Sequence, residues 1–580
     1  MRVLMYALIT LLIVSCKNDS SSPSQASEAE LHIAIKKDPL KLHPVVYTVQ
    51  RAREVYQYIF GAMAGFHPET HVLEPIMITK IPEALEVTDG PDAGKIIYNI
   101  EFKKGMTWED GKPITGADYL FTLKAIKHPE TAAGAYRSYF TDLINAELDP
   151  ENPLKVKVIF DEYYMLSKEI VSTLEVYPKH IYDPAGALDG VSLSTLHDES
   201  EYNAAVKKDS SLTTFAQQFN SVKYTRELVS GAGPYKLVDW VADQIVVLER
   251  KENYWGAGSD NPFLKAGPKR IIFHIIPDEL NILNQLKSGE VDLAAGITSA
   301  EYKKLKESTD YADQFHFMTP EVLRFYFIML NNTKPELADK NVRKALANLV
   351  DVEEIIEILE KGMAKRANGA INVSKPYFNN KLALVPEDIA KAESLLKNSG
   401  WTDTNNDGTI DKSINGKRQE LELDMHTTGS NLSNKIALLV QESAKQVGIK
   451  INIIQKKYSL FKRENLAKLE YDMFTSSITQ SLALDDPYMK WHSSNATPGG
   501  TNQSAYKSDK ADKIIENIRD AKTTDQRNEQ YLKLQEVMYE DQPVIFLYHP
   551  LEKIILSKKW DGKSTIVRPG YLANTFTPAS

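Results

Sequence analysis

The chain has 580 residues, 42% of them apolar, and a formal charge of -9 with lysine and arginine scattered among acids. It is long enough for more than one core, and with no basic stripe it lacks the electrostatic footprint of a nucleic-acid binder. Twenty-eight tyrosines, nineteen phenylalanines and six tryptophans combine an apolar face with a polar edge, which suits a wet cavity as well as a core.

Met1 and Arg2 precede an apolar run over 3–14, and Ile13, Val14 and Ser15 lead to Cys16, the only cysteine. The run, about 12 residues, falls short of the roughly 20 that a bilayer-spanning helix needs. The pattern is similar to a bacterial lipoprotein signal, with cleavage before Cys16 and lipid on its thiol. One cysteine leaves no partner for a disulfide. Residues 17–30, KNDSSSPSQASEAE, have no apolar pattern and read as a flexible tether.

A strand is expected over 31–35, a loop between Pro39 and Pro44, and a helix over 53–63 with Val55, Ile59 and Met63 on one side. His43 reads as a loop residue. A second strand over 96–103 is followed by Trp108-Glu109-Asp110-Gly111 and by a helix that Thr115 opens. Asp118 three residues on makes a capping box, and Pro129 ends the helix. Residues 189–230 are polar and weakly periodic, and read as a surface elaboration.

Gly231 and Gly233 bracket a turn before two apolar runs, 235–240 and 245–248, which make a hairpin over the aromatic pair Tyr254-Trp255. A strand over 269–276 and a helix over 279–286 come next, then Gly289-Glu290-Val291-Asp292. Further strands are expected over 325–332, 420–425, 449–454 and 543–548, with helices over 342–349, 352–359, 387–398, 432–447, 514–521 and 526–539. Such alternation is that of α/β lobes.

Residues 403–411, DTNNDGTID, have the oxygen spacing of the first half of a calcium loop, but the twelfth position is Ile414, which cannot ligate. A hairpin turn rich in Asp, Asn and Gly accounts for the same letters. No metal is assigned. No G-x-S-x-G, H-E-x-x-H, P-loop or dinucleotide pattern is present, and the twelve histidines are dispersed, so neither a catalytic set nor a cofactor is assigned.

Three stretches together resemble the extracellular solute-binding proteins of the peptide/nickel family, the receptors of ABC importers. They are GAGPYKLVDW with its later Asn253-Tyr254-Trp255, FKKGMTWEDGKPITGADYLFTLKAI, and the Gly-Glu-Val-Asp unit at 289–292. The resemblance implies an α/β fold with two lobes, of the periplasmic-binding-protein kind (type II, cluster C), and an accessory domain. It places lobe I at 31–60, 185–320 and 541–580, the accessory domain at 61–184 and lobe II at 321–540.

In peptide-binding relatives an Asp four residues before an acid-Pro pair holds the ligand's amino terminus, and a Trp three residues earlier lines the wall. Those positions fall here on Ala483 and Gln480 counting back from Asp486-Pro487, or on Ser481 and Ile478 counting forward from Tyr471-Asp472. Neither register keeps the pair. A buried ammonium needs a carboxylate or several acceptors, so Asp485 or Asp486 is expected to take over, unless the ligand lacks a free amine. The expected ligand-binding set is Tyr47, Tyr458, Ser477, Gln480, Asp485, Asp486 and Tyr548.

The resemblance implies a monomeric lipoprotein of the cell envelope, periplasmic or on the cell surface, that binds an oligopeptide or other small solute, touches a membrane only through its lipid, and delivers its cargo to permease and ATPase subunits. The same fold binding a glycan or metal chelate, a sensor or chaperone without transport, and a secreted hydrolase are the alternatives.

Overall fold

Three sheets organise the computed structural model, which describes residues 28–47 and 49–580. The leader, Cys16 and most of the tether lie outside the described residues. The first sheet has seven strands in the order Phe315–Met318, Ile554–Ser557, Leu293–Ala295, Glu30–Ile35, Arg270–Ile275, Ile245–Arg250 and Tyr235–Val241. Its central strand Glu30–Ile35 runs parallel to both neighbours, and the outer pairs are antiparallel. The second sheet has six strands in the order Ala364–Arg366, Val544–Pro550, Arg324–Leu330, Met473–Thr479, Glu422–Thr427 and Lys450–Gln455. The Val544–Pro550 strand is buried at every position, as its unbroken apolar run requires when both faces are covered.

The chain crosses between these two sheets twice, at 319–323 and at 551–553. The crossings are cross-linked by a bridge between Glu321 and Leu551 and by the Glu552 amide donating to Pro320 O at 2.9 Å. Two strands so joined make a hinge with few degrees of freedom. The return crossing corrects the expected boundary at 541, because Val544–Pro550 pairs with Arg324–Leu330 and Ala364–Arg366 inside the second sheet.

A third sheet, Leu85–Glu86, Ile96–Glu101, Lys155–Phe160 and Leu143–Leu148, is covered by the helix Gly116–Lys127. The capping box opens that helix: Thr115 Oγ1 accepts from the Ala117 amide, and Asp118 Oδ2 accepts from the Thr115 amide at 3.0 Å. Asp118 Oδ1 also accepts from the Lys179 amide at 3.0 Å, which pins the later chain to the cap. This layer shares one continuous apolar cluster with the first lobe. The second lobe has its own clusters on the two faces of its sheet.

Two elements differ from the expectation. Residues 189–230 are not a loose elaboration: the helices Leu193–His197, Glu199–Lys208 and Ser211–Phe219 bury Leu196, Tyr202, Phe215 and Phe219 in the first cluster. The helices are short, and Asp198 caps the second of them, so no single period spans the segment. The helix expected to reach Met63 stops at Tyr56. Beyond it, the carbonyls of Tyr58 and Ile59 accept from the amides of Tyr235 and Gly233, at 3.0 and 2.8 Å. A Cβ on Gly233 would stand 2.5 Å from Tyr58 O, and one on Gly231 2.6 Å from Ile59 O. The glycines therefore serve a close approach of two backbones.

Candidate functional site

That close approach builds a wall. Residues 57–66 leave the hairpin turn and run along a cavity of about 390 Å3, closed on its other sides by Glu169, Thr173 and Glu175 of the third layer and by 566–568, Leu572 and Asn574 near the C-terminus. The second lobe contributes 479–483 and the first crossing Leu323, so both lobes wall one space. A smaller space of about 270 Å3 adjoins it at the hinge and shares Gln50, Ile566 and Arg568. Tyr254 of the expected aromatic pair lines the larger cavity, and Trp255 Nε1 ties the turn down by donating to Ala232 O at 2.9 Å.

The cavity walls are mostly apolar, with Phe60, Phe66 and Phe263 among them, and carry a few charged groups. Glu175 is 8% exposed and accepts from the Tyr136 hydroxyl at 3.4 Å; burial pushes its carboxyl up, against the pull of Arg53. Glu54 is raised to about 7 by burial and by the like charge of Glu552, with Arg568 opposing. Arg568 is lowered by burial and by Arg324. Arg53 is exposed by area yet looks into the cavity. None of these four was singled out from the sequence. Arg53 and Glu54 sit opposite an apolar helix stripe, where charge normally means solvent. Glu175 did carry a signal, an acid inside the apolar run 174–177.

Of the expected set, only Gln480 lines the cavity. Its amide donates to Leu323 O at 2.7 Å and its Nε2 to Ala370 O at 3.2 Å, while its buried Oε1 has no partner. Asp485 lies behind that wall. Tyr377 donates to it at 2.9 Å and Lys375 Nζ stands 3.6 Å away; burial pushes Asp485 up and Lys375 down. Asp486 accepts from Arg519 Nε and Nη2, at 3.0 and 2.8 Å, and from the Tyr164 hydroxyl at 3.2 Å.

The rest of the set lies elsewhere. Tyr548 is fully buried and donates to Glu360 Oε1 at 3.1 Å. Ser477 is exposed on its strand opposite Tyr326, Tyr458 is 50% exposed, and Tyr47 accepts from Arg51. In the 403–411 loop the carboxylates turn onto the chain itself: Asp403 accepts from the Gly408 amide at 2.9 Å and Asp411 from the Thr404 hydroxyl at 2.7 Å.

Two α/β lobes joined by two crossings around a shared cavity define a bilobal solute-binding protein. The sequence model described as bacterial extracellular solute-binding proteins, family 5 Middle, matches residues 87–500, and the chain belongs to that family. It is 23% identical to the oligopeptide-binding protein AppA of Bacillus subtilis (strain 168) over 575 residues, which are 96% of this chain and 94% of AppA. The solved AppA structure, in complex with a nonapeptide, superposes with a TM-score of 0.69 at 20% identity, covering 96% of this chain and 100% of that one. NikA from Brucella suis in complex with Fe(III)-EDTA superposes with a TM-score of 0.74 at 18% identity, covering 95% and 99%. Relatives that hold a peptide and a metal chelate thus share this fold. The choice of ligand must lie in the side chains around the cavity.

Proposed function

We propose that this chain is the solute-binding component of an ABC importer, which takes an oligopeptide between its lobes and releases it unchanged to the permease. The observation that carries the reading is the cavity walled by residues of both lobes, the arrangement that a hinge motion opens and closes. Hydrogen bonds from Tyr164 to Asp486, and from Arg527 to Tyr163 at 3.1 Å, span from the third layer to the second lobe and favour closure. The similarity to the oligopeptide-binding protein AppA supports peptide as the cargo. We place the folded part outside the cytoplasmic membrane as a monomer, anchored by lipid on Cys16.

Native mass spectrometry of the freshly purified chain tests this reading, because tight solutes copurify. The reading expects added masses that dissociate as intact peptides, and rebinding of di- to pentapeptides by the stripped protein. Release of hydrolysed fragments from an added polymer or peptide would replace it with an enzyme.

A further inference from the structure

The space between the lobes is two connected chambers, and one short helix serves both. Successive side chains leave a helix about 100° apart, so neighbours on Gln50–Tyr56 reach different places: Arg53 lines the larger chamber and Glu54 the smaller. Neither side chain makes a hydrogen bond or ion pair to another described residue, and the same holds for Arg568, which lines both chambers. Glu552, across the smaller chamber, accepts only from the Gly296 and Lys553 amides, both at 3.1 Å. Arg53 feels Glu175, and Arg568 feels Glu54 and Glu552, only at a distance, and charges in a cleft that lack a direct contact are incompletely compensated. A chain that keeps them in both signs has a site for a molecule that carries both signs.

The walls between these charges are neutral and half satisfied. Gln50 lines both chambers, and its buried Nε2 donor has no partner; across the space, the buried Oε1 acceptor of Gln480 has none either. One donor and one acceptor match the C=O and N–H of a peptide group.

The remaining charges that face the smaller chamber are occupied. Lys36 is bonded to Glu279 and Gly296 O, both at 2.7 Å; Glu321 to Lys365 and Ser374; and Arg324 Nε to Thr479 Oγ1 at 3.3 Å. Tyr58 and Tyr571 stay neutral, since burial pushes both hydroxyls up.

Building on the oligopeptide reading above, we infer that the ligand is a zwitterionic peptide with both ends free, its carboxylate held at Arg53, its ammonium between Glu54 and Glu552, and its linking amides facing Gln50 and Gln480. With the Glu54 carboxyl near 7, an arriving ammonium expels a proton, so binding at neutral pH releases a fraction of one proton.

The test is titration calorimetry with alanine tri- to pentapeptides, each free, amino-acetylated or carboxy-amidated, in two buffers of different ionisation enthalpy at pH 7. Each cap is expected to weaken binding about tenfold or more, with proton release seen only for the free amine. Glu54→Gln should abolish the acetyl discrimination and keep the amide discrimination, and Arg53→Gln should do the reverse. Glu552→Gln serves in place of Glu54→Gln should that variant fail to fold. Equal binding of all three forms overturns the zwitterion and leaves the oligopeptide reading intact. Absence of heat with every peptide overturns both. Unchanged discrimination in the variants, with lobe opening altered instead, makes Glu54 and Arg568 partners of each other and overturns these anchors.

Discussion

Lys375 Nζ stands 3.6 Å from Asp485 Oδ2 within the second lobe, so the chain meets with its own ammonium a carboxylate that its sequence offered to a ligand. The Tyr377 hydroxyl completes the set. Breaking a buried pair by removing one partner strands the other charge. Lys375→Met is expected to destabilise the protein by about 3–5 kcal/mol, and Lys375→Met with Asp485→Leu to regain most of that loss. Urea unfolding of the two variants checks it; a double variant no better than the single one would mean the pair is not what holds this wall.

The Glu54 carboxyl gives a signed pH dependence. Its ordinary value is 4.5 and its value in the fold is about 7, held there by burial and Glu552. Below 4.5 both states carry the proton and nothing is lost. Between 4.5 and 7 the unfolded chain has released it while the folded chain has not, so stability falls as pH rises. Relative to wild type, Glu54→Gln should therefore gain stability across that window, on the order of 2 kcal/mol after allowance for water in the cleft. Melting curves from pH 4 to 8 would show it, and a constant difference between the two proteins would refute it.

The backbone contact at Gly233 is expected to couple stability to binding. A Cβ there meets Tyr58 O at 2.5 Å, and Tyr58 lines the cavity. Gly233→Ala should cost about 1–3 kcal/mol and weaken ligand binding as the wall shifts. Gly134→Ala, with nothing within 4 Å of its Cβ, is the control and should be near neutral. Thermal melts paired with calorimetry separate the two effects.

Tyr163 and Tyr164 tie the third layer to the second lobe through Arg527 and Asp486. Phenylalanine at both positions removes two hydrogen bonds of about 1 kcal/mol each while keeping the rings. The unliganded protein should then populate the open form more, with a larger radius of gyration and weaker ligand affinity.

What the sequence showed reliably was local. The hairpin after Gly233 and the Thr115 capping box are contacts between near neighbours, and each is where its letters put it; the strand of 31–35 was legible from its alternation, its distant partners were not. The charged lining of the cleft was not legible. Arg53 and Glu54 look like the wet face of an amphipathic helix until a second lobe roofs them over. The pairing of Asp485 with Lys375 joins residues 110 positions apart, beyond any periodicity. The end of the helix at Tyr56 depends likewise on a turn at 231–233 that takes up its next carbonyls. The return crossing at 551–553 could not be read from a strand whose letters fit either sheet.

Small-angle X-ray scattering of the purified chain, titrated with free alanine peptides to saturation, tests the hinge-closure account most directly. The account predicts a saturable fall in the radius of gyration as the lobes close, with the same peptide mass recovered afterwards. A profile unchanged at saturation, or a peptide recovered in pieces, would contradict it.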